Sequence, residues 1–532
     1  MSEGGPGPRP GVFDAHPVPP PNGQYPYAPP QGGQYPYPPP QGGQYPYPPP
    51  QGGQYPYPPL PNGAPGYPRP PSRHRGLAIA LVIGVVGLLV LAAGAGAGGL
   101  LYLRKLNNQA DEITPEEQLD KDVLTALGAR TTALRTKNEK AFLSAVDPTA
   151  RTVLARQRLI FRNLVQYPVT DPAYRLDLGF GIASRTVTGA RSYRVALVHR
   201  LGEADVEPVA LGYEETWVRR GTGITMVDSV VKENVGHSSK GDNPLNVTAL
   251  KVVGGGRVTV AAGPDVTAAT VAKVDRLAEK AALPVLKLWG SRPGPKGFAV
   301  FLSRRTAVKT AWFGGSEIIG SSGFCVSQYA VDKRLVAAGR DPGATPPAAV
   351  ADDGTLKDES LRLGGSRVVI DLSQVRDDKD LSATLRHEFT HALSVRIRAV
   401  SQSLSLDEPY PTWAEEGFAS WSEEKDVPLS RSPRLNTLRY LQRKGYFTTG
   451  MPPSSRIAFY SSNKEFIGLH YAKSAMVFRY VADRWGAEKA VDLYVRIASG
   501  QKNSAQAVLG VSSASFESAW TTWLVKQVRS GR

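Results

Sequence analysis

The 532-residue chain is 41% hydrophobic and carries a formal charge of +16, enough length for two or three domains and enough positive charge to favour anionic neighbours such as lipid headgroups, wall polymers or acidic substrates. It contains neither a zinc-finger spacing nor a basic segment interleaved with aromatics, which argues against nucleic acid as a partner. Its one cysteine, Cys325, excludes an internal disulfide framework and reads as a small hydrophobe, with a nucleophilic role as the alternative.

Residues 1–75 cannot form a packed core. A ten-residue unit carrying Gln-Tyr-Pro-Tyr recurs at Gln24, Gln34, Gln44 and Gln54, closed each time by prolines and glycine-bearing pairs. Proline removes backbone donors, glycine adds chain entropy, and almost nothing aliphatic is left to bury, so the segment is expected to be disordered and rich in polyproline II. Such a tail suits a flexible spacer, a proline-recognition partner or self-association through its tyrosines. Residues 76–103 carry no charge and are dominated by Leu, Val, Ile, Ala and Gly. A helix of that length rises about 40 Å, enough to cross a bilayer with some tilt. Arg73 and Arg75 flank one end and Arg104 and Lys105 the other, and a 75-residue leader is too long for an ordinary signal peptide. The expectation is a single-pass signal anchor with the N-terminus cytoplasmic and the C-terminal portion extracellular. Within it, Gly94, Gly96 and Gly99 match a dinucleotide fingerprint formally but lack the strand and the βαβ unit that give the motif meaning.

Residues 110–250 read as a small α+β unit. Helical periodicity covers Glu116–Tyr167 with a break at Pro148, followed by strand patterns at Tyr174–Phe180, Ser192–Arg200, Pro208–Arg219 and Ile224–Val231. This order, helices and then a meander, resembles nuclear-transport-factor-like domains. His199 and His237 stand alone and read as satisfied or exposed side chains. The loop 236–246 and the Gly254-Gly255-Gly256 run mark the next boundary. Residues 255–532 then give a strand at Arg257–Ala262, a helix at Val266–Trp289, strands at Gly297–Leu302, Gly323–Ala330 and Arg367–Leu372, an insertion at about 338–366, and helices from Asp380 onward.

His387-Glu388-Phe389-Thr390-His391 carries the chemistry. On a helix, positions i and i+4 lie one above the other, so the two imidazoles converge on one ion at about 2.0–2.1 Å. Glu388, about 100° away around the helix, falls beside that ion, placed to take a proton from a zinc-bound water and pass it to a leaving amine. Asp380 is expected to cap this helix, and Leu385, Phe389, Ala392 and Leu393 to bury it.

Downstream, Trp413-Ala414-Glu415-Glu416-Gly417-Phe418-Ala419 resembles the second-helix motif of the gluzincin metallopeptidases, the thermolysin and aminopeptidase-N clan. The resemblance makes Glu416 the third zinc ligand; Glu415 is the competitor, since adjacent helical residues point about 100° apart. Tyr471-Ala472-Lys473-Ser474-Ala475 resembles a segment of the aminopeptidase branch whose tyrosine steadies the oxyanion, a role that falls on Tyr471, with His470 as the other candidate. Two departures matter. Ser420 stands four residues after Glu416, where thermolysin-type enzymes have aspartate, and the Gly-x-Met-Glu-Asn segment that grips a substrate's free amine is missing; Gly314–Glu317 is a poor substitute.

The expected architecture is therefore α+β: a disordered tail, one transmembrane helix, an accessory domain at 110–250 and a gluzincin-like domain at 255–532 with a mixed sheet and a mainly helical half. The expected function is a membrane-anchored zinc metallopeptidase, not a typical aminopeptidase, with catalytic Glu388 and Tyr471, one zinc on His387, His391 and Glu416, and a peptide or protein substrate. The alternatives are a non-catalytic surface binding protein on the same fold, and a zinc amidohydrolase acting on cell-wall or small-molecule amides.

Overall fold

The computed structural model describes residues 114–530 apart from 178–179, 234, 236–240, 307–310, 314–320, 332–361, 398–410 and 461–462. The tail at 1–75, the apolar span at 76–103, His237, Gly314–Glu317, and most of the insertion at 338–366 lie outside the described residues. Among the described residues no helix is long and apolar enough to cross a membrane. Two five-stranded sheets with helices around them make this a mixed α/β protein.

The chain enters through α1 (Pro115–Arg135), opened by a capping box between Thr114 and Glu117 with proline at the first turn. Two shorter helices follow, α2 (Glu139–Leu143) and α3 (Arg151–Leu164), and a single turn, α4 (Pro244–Val247), comes after the first sheet. The first sheet is antiparallel: β1 (Val169–Leu176), β3 (Ala190–Leu201), β4 (Val209–Arg220) and β5 (Gly223–Val231) lie in that order, with β2 (Ile182–Ala183) on β3. Strand β1 begins five residues earlier than its pattern suggested. A bulge between Thr170 and Ala173, with Asp171 at φ 50°, absorbs Pro172 on this edge strand and hides the alternation. Between helices and sheet, the buried Arg130 guanidinium donates to Glu215 Oε1 (2.8 Å) and Gln157 Oε1 (2.5 Å), while Trp217 Nε1 donates to Glu215 Oε2 (3.2 Å). A charge so far from water persists because a carboxylate of opposite sign faces it and both terminal nitrogens are hydrogen-bonded.

The second sheet runs β6 (Lys251–Gly254), β7 (Val258–Ala262), β8 (Phe298–Ser303), β10 (Leu363–Asp371), β9 (Gly323–Tyr329). Its inner pairs β7–β8 and β8–β10 are parallel, and both edge pairs are antiparallel. The triple glycine expected as a boundary is instead the hairpin turn between β6 and β7. Gly254 has φ 112°, and a Cβ there would fall 2.3 Å from the Val258 carbonyl oxygen. A four-residue β6 beside that run carries too little alternation to be recognised.

Strand period two explains how this sheet joins both halves. Phe298, Val300, Leu302, Val368 and Ile370 face the helices, beginning with α5 (Ala268–Trp289). Ala299, Phe301 and Val369 face the other way, into a core shared with α1, α3 and the first sheet, where Tyr167 stacks on Phe301 at 5.9 Å. At the rim, Arg367 makes a buried two-pronged pair with Asp205 (2.6 and 2.9 Å).

Directly after β10 comes α6 (Asp378–Leu393), then α7 (Thr412–Glu424), α8 (Pro433–Arg443), α9 (Arg456–Tyr460), α10 (Lys464–Trp485), α11 (Ala487–Ala498), α12 (Ser504–Leu509) and α13 (Ser513–Arg529). The cap of α6 is Asp377, not Asp380. The Asp377 carboxylate accepts from the Asp380 N–H, and the Asp380 carboxylate takes Arg376. Either aspartate fits a first turn, and only backbone geometry separates them. Phe418 of α7 stacks on Tyr494 of α11 at 4.1 Å, closing the helical core.

Candidate metal centre

Helix α6 presents two faces. Leu381, Leu385, Phe389 and Ala392 enter the core beneath the sheet, where Phe389 stacks on Phe298 with centroids 4.0 Å apart. That packing fixes the rotation of the helix and turns His387 and His391 toward α7. Helix α7 in turn lies against α10 with almost no separation at Gly417, where a Cβ would fall 2.6 Å from the Ser474 carbonyl oxygen. The glycine in Glu416-Gly417 is thus a close-approach residue, and the approach aligns Glu416 with Tyr471.

His387, His391 and Glu416 form a cluster that can hold a metal ion. His391 Nε2 lies 3.1 Å from His387 Nε2, and Glu416 Oε2 lies 3.3 Å from His387 Nε2 and 3.5 Å from His391 Nε2. For ligands about 2.0–2.1 Å from a tetrahedral ion, the donor–donor spacing is about 3.3–3.4 Å. The three donors therefore already outline one face of such a tetrahedron, so the residues fit the ion.

Each ring has a carboxylate behind it. Glu423 Oε2 stands 3.6 Å from His387 Nδ1, and Glu415 Oε1 stands 3.6 Å from His391 Nδ1. Glu415 and Glu416 thus divide the work: Glu416 faces the inner nitrogens and Glu415 backs one ring from outside. The position of Ser420 is supplanted by Glu423, seven residues and two turns beyond Glu416 on the same face, and Arg434 Nη2 donates to Glu423 at 2.8 Å. Burial lowers the affinity of both imidazoles for protons, but the carboxylates outweigh it. Glu416 and Glu423 raise His387 to about 9, and Glu416 and Glu415 raise His391 to about 10. Burial raises Glu423, and Arg434 and His387 more than reverse that, holding it at about 2. The pocket as a whole favours positive charge at its centre.

Glu388 is buried beside the two rings, against the start of β9: a Cβ on Gly323 would sit 3.2 Å from Glu388 Cγ. Burial raises its pKa, with the two imidazoles pulling the other way. Tyr471 comes to the same place from α10, its ring 6.3 Å from that of His387. His470 does not: its Nδ1 lies 2.9 Å from the Phe459 carbonyl, on another face of the helix. His199 is also elsewhere, buried in β3 with Nδ1 3.1 Å from the Leu197 carbonyl. Cys325 is half-buried in β9.

Like Glu423, a second residue of the site carries no recognisable signal in the sequence. Tyr460 of α9 donates from Oη to Glu416 Oε1 at 2.7 Å and lies 3.2 Å from Tyr471 Oη. No protein-family model and no curated protein matches this chain.

Proposed function

We propose that the chain is a zinc-dependent metallohydrolase of gluzincin type, cleaving peptide bonds. The observation that carries the reading is the donor triangle of 3.1, 3.3 and 3.5 Å, with a buried carboxylate, Glu388, next to it. Two neutral imidazoles and one carboxylate suit zinc and leave a fourth position open. When bound, zinc supplies Lewis-acid polarisation of a carbonyl and makes water more acidic.

The protein's own groups then have defined tasks. Glu388, whose burial favours the protonated form, takes a proton at its carboxylate from the attacking water and returns it to the leaving amine. Tyr471 keeps its hydroxyl proton, since burial and the Glu416 charge hold its pKa well above 10, and donates a hydrogen bond to the oxygen on which negative charge develops. Glu415 and Glu423 hold the two rings in orientation from behind. The order of elements in residues 114–250, three helices and then an antiparallel meander, supports a nuclear-transport-factor-like accessory unit. The uncharged span at 76–103 supports a cell-surface location for the catalytic part.

The test is digestion of a peptide library by the purified chain, with and without a zinc chelator, alongside Glu388→Gln. The variant should keep its metal and lose cleavage by about 10²–10⁴-fold. Full activity in metal-loaded Glu388→Gln would remove the base assignment. Hydrolysis of wall or small-molecule amides with no peptide cleaved would move the substrate class, and no hydrolysis by the zinc-loaded chain would leave a binding protein.

A further inference from the structure

We propose that Tyr460 is a positioning residue of this centre, holding Glu416 to one-oxygen ligation and setting the direction in which Tyr471 donates. The proposal rests on the metallohydrolase reading above.

Helix α9 is only five residues long, yet it is firmly anchored. Phe459 is fully buried, packs edge-on against Tyr471 with centroids 5.3 Å apart, and offers its carbonyl to His470 Nδ1 at 2.9 Å. Both contacts are to α10, so α9 moves with the helix that carries Tyr471. That anchorage delivers the Tyr460 hydroxyl to Glu416 Oε1 at 2.7 Å and to Tyr471 Oη at 3.2 Å.

The shorter contact sets the direction of the chain, since the Tyr460 hydroxyl lies 2.7 Å from Glu416 Oε1 and 3.2 Å from Tyr471 Oη. Ionised Glu416 only accepts, and a phenol has one hydrogen. With the Tyr460 hydrogen given to Glu416, the contact between the two hydroxyls is made by Tyr471 donating to Tyr460. Two consequences follow. Glu416 Oε1 is drawn toward the Tyr460 hydroxyl, which favours Oε2, the oxygen that faces both Nε2 atoms at 3.3 and 3.5 Å, as the single ligand to an ion; one-oxygen ligation keeps a fourth position open. With Glu416 Oε1 held by the Tyr460 hydroxyl at 2.7 Å, the Tyr471 hydroxyl has the neutral Tyr460 hydroxyl, 3.2 Å away, as its resting acceptor. A bond to a charged acceptor is roughly twice as strong, so the weaker resting partner leaves Tyr471 free to turn to a developing oxyanion.

The experiment compares zinc-loaded wild type, Tyr460→Phe, Tyr471→Phe and the double variant. Phenylalanine keeps the ring and its packing, and thermal unfolding checks that each variant is folded. Chelator competition should show Tyr460→Phe binding zinc about 10-fold more weakly, and X-ray absorption should show a second carboxylate oxygen at the metal. In hydrolysis, Tyr460→Phe should lower kcat with KM unchanged, and the double variant should be little worse than Tyr471→Phe alone, because both act through one hydroxyl. Wild-type zinc affinity and one-oxygen coordination in Tyr460→Phe would overturn the proposal, as would kcat losses that multiply in the double variant. The coordination readout needs no turnover, so failure of the hydrolase reading and failure of the Tyr460 role are told apart.

Discussion

Substituting Gly417 with alanine strikes the contact on which the centre is built. The added Cβ would meet the Ser474 carbonyl oxygen at 2.6 Å and its carbon at 2.7 Å, about 0.8 Å inside ordinary contact. Both obstacles are helix backbone, so α7 and α10 must separate; no side chain can swing aside. Overpacking of this kind costs about 1–3 kcal/mol. Glu416 directly precedes Gly417, and Tyr471 stands one turn before Ser474, so the separation reaches the site itself. A shift of that size exceeds the roughly 0.5 Å within which a binding constellation must be held. Urea unfolding should show stability lower by about 2 kcal/mol, and chelator competition a zinc affinity lower by about 10-fold. Gly468→Ala is the control: it lies in α10 with nothing within 4 Å of the added Cβ, and alanine there should be neutral or stabilising. A Gly417→Ala protein with the wild-type urea midpoint and the wild-type zinc affinity would refute the close-approach argument.

His199 predicts acid lability remote from the metal centre. It faces Asp205, Arg367 and the Leu197 carbonyl; burial is the largest influence and pushes its pKa down to about 4. Unfolded, it takes a proton near pH 6.5; folded, it does not until about pH 4. Its contribution is therefore complete above pH 6.5 and is lost as pH falls toward 4, a loss of about 3 kcal/mol at 1.36 kcal/mol per pH unit. Urea midpoints measured between pH 7.5 and 4.5 should fall less steeply for His199→Gln, and parallel curves for the two proteins would contradict it. Removing residues 114–250 should uncover Phe301, Phe324 and Val369, which are buried in the shared core. The remainder should aggregate or bind a hydrophobic dye, and a soluble, cooperatively unfolding remainder would speak against the shared core.

What the sequence reveals and conceals follows from how many neighbouring residues report on each feature. Helix α6 is legible because its apolar spacing, its two histidines and the preceding strand all agree. Strand β8 is legible as an unbroken apolar run and β10 only in its Val368–Ile370 half, since its opening Leu363–Ser366, with two glycines and a serine, reads as part of the insertion; neither run says that its alternate residues serve two different cores. Glu415 and Glu416 could not be separated by rotation alone, because the site uses both, one at an inner nitrogen and one behind a ring. Glu423 is two helical turns from the motif, and nothing local distinguishes it from a solvated acidic residue. Tyr460 lies on a helix too short for periodicity, and its partners are 44 and 11 residues away. The pair Arg367–Asp205 bridges 162 residues, and such pairings become visible only in three dimensions.

Zinc content is the most direct test of the central claim. The purified chain, loaded with zinc and dialysed, should retain about one zinc per chain by elemental analysis, and His391→Ala should retain almost none while staying folded. No retained zinc in wild type, or equal retention in His391→Ala, would contradict a metal centre on His387, His391 and Glu416.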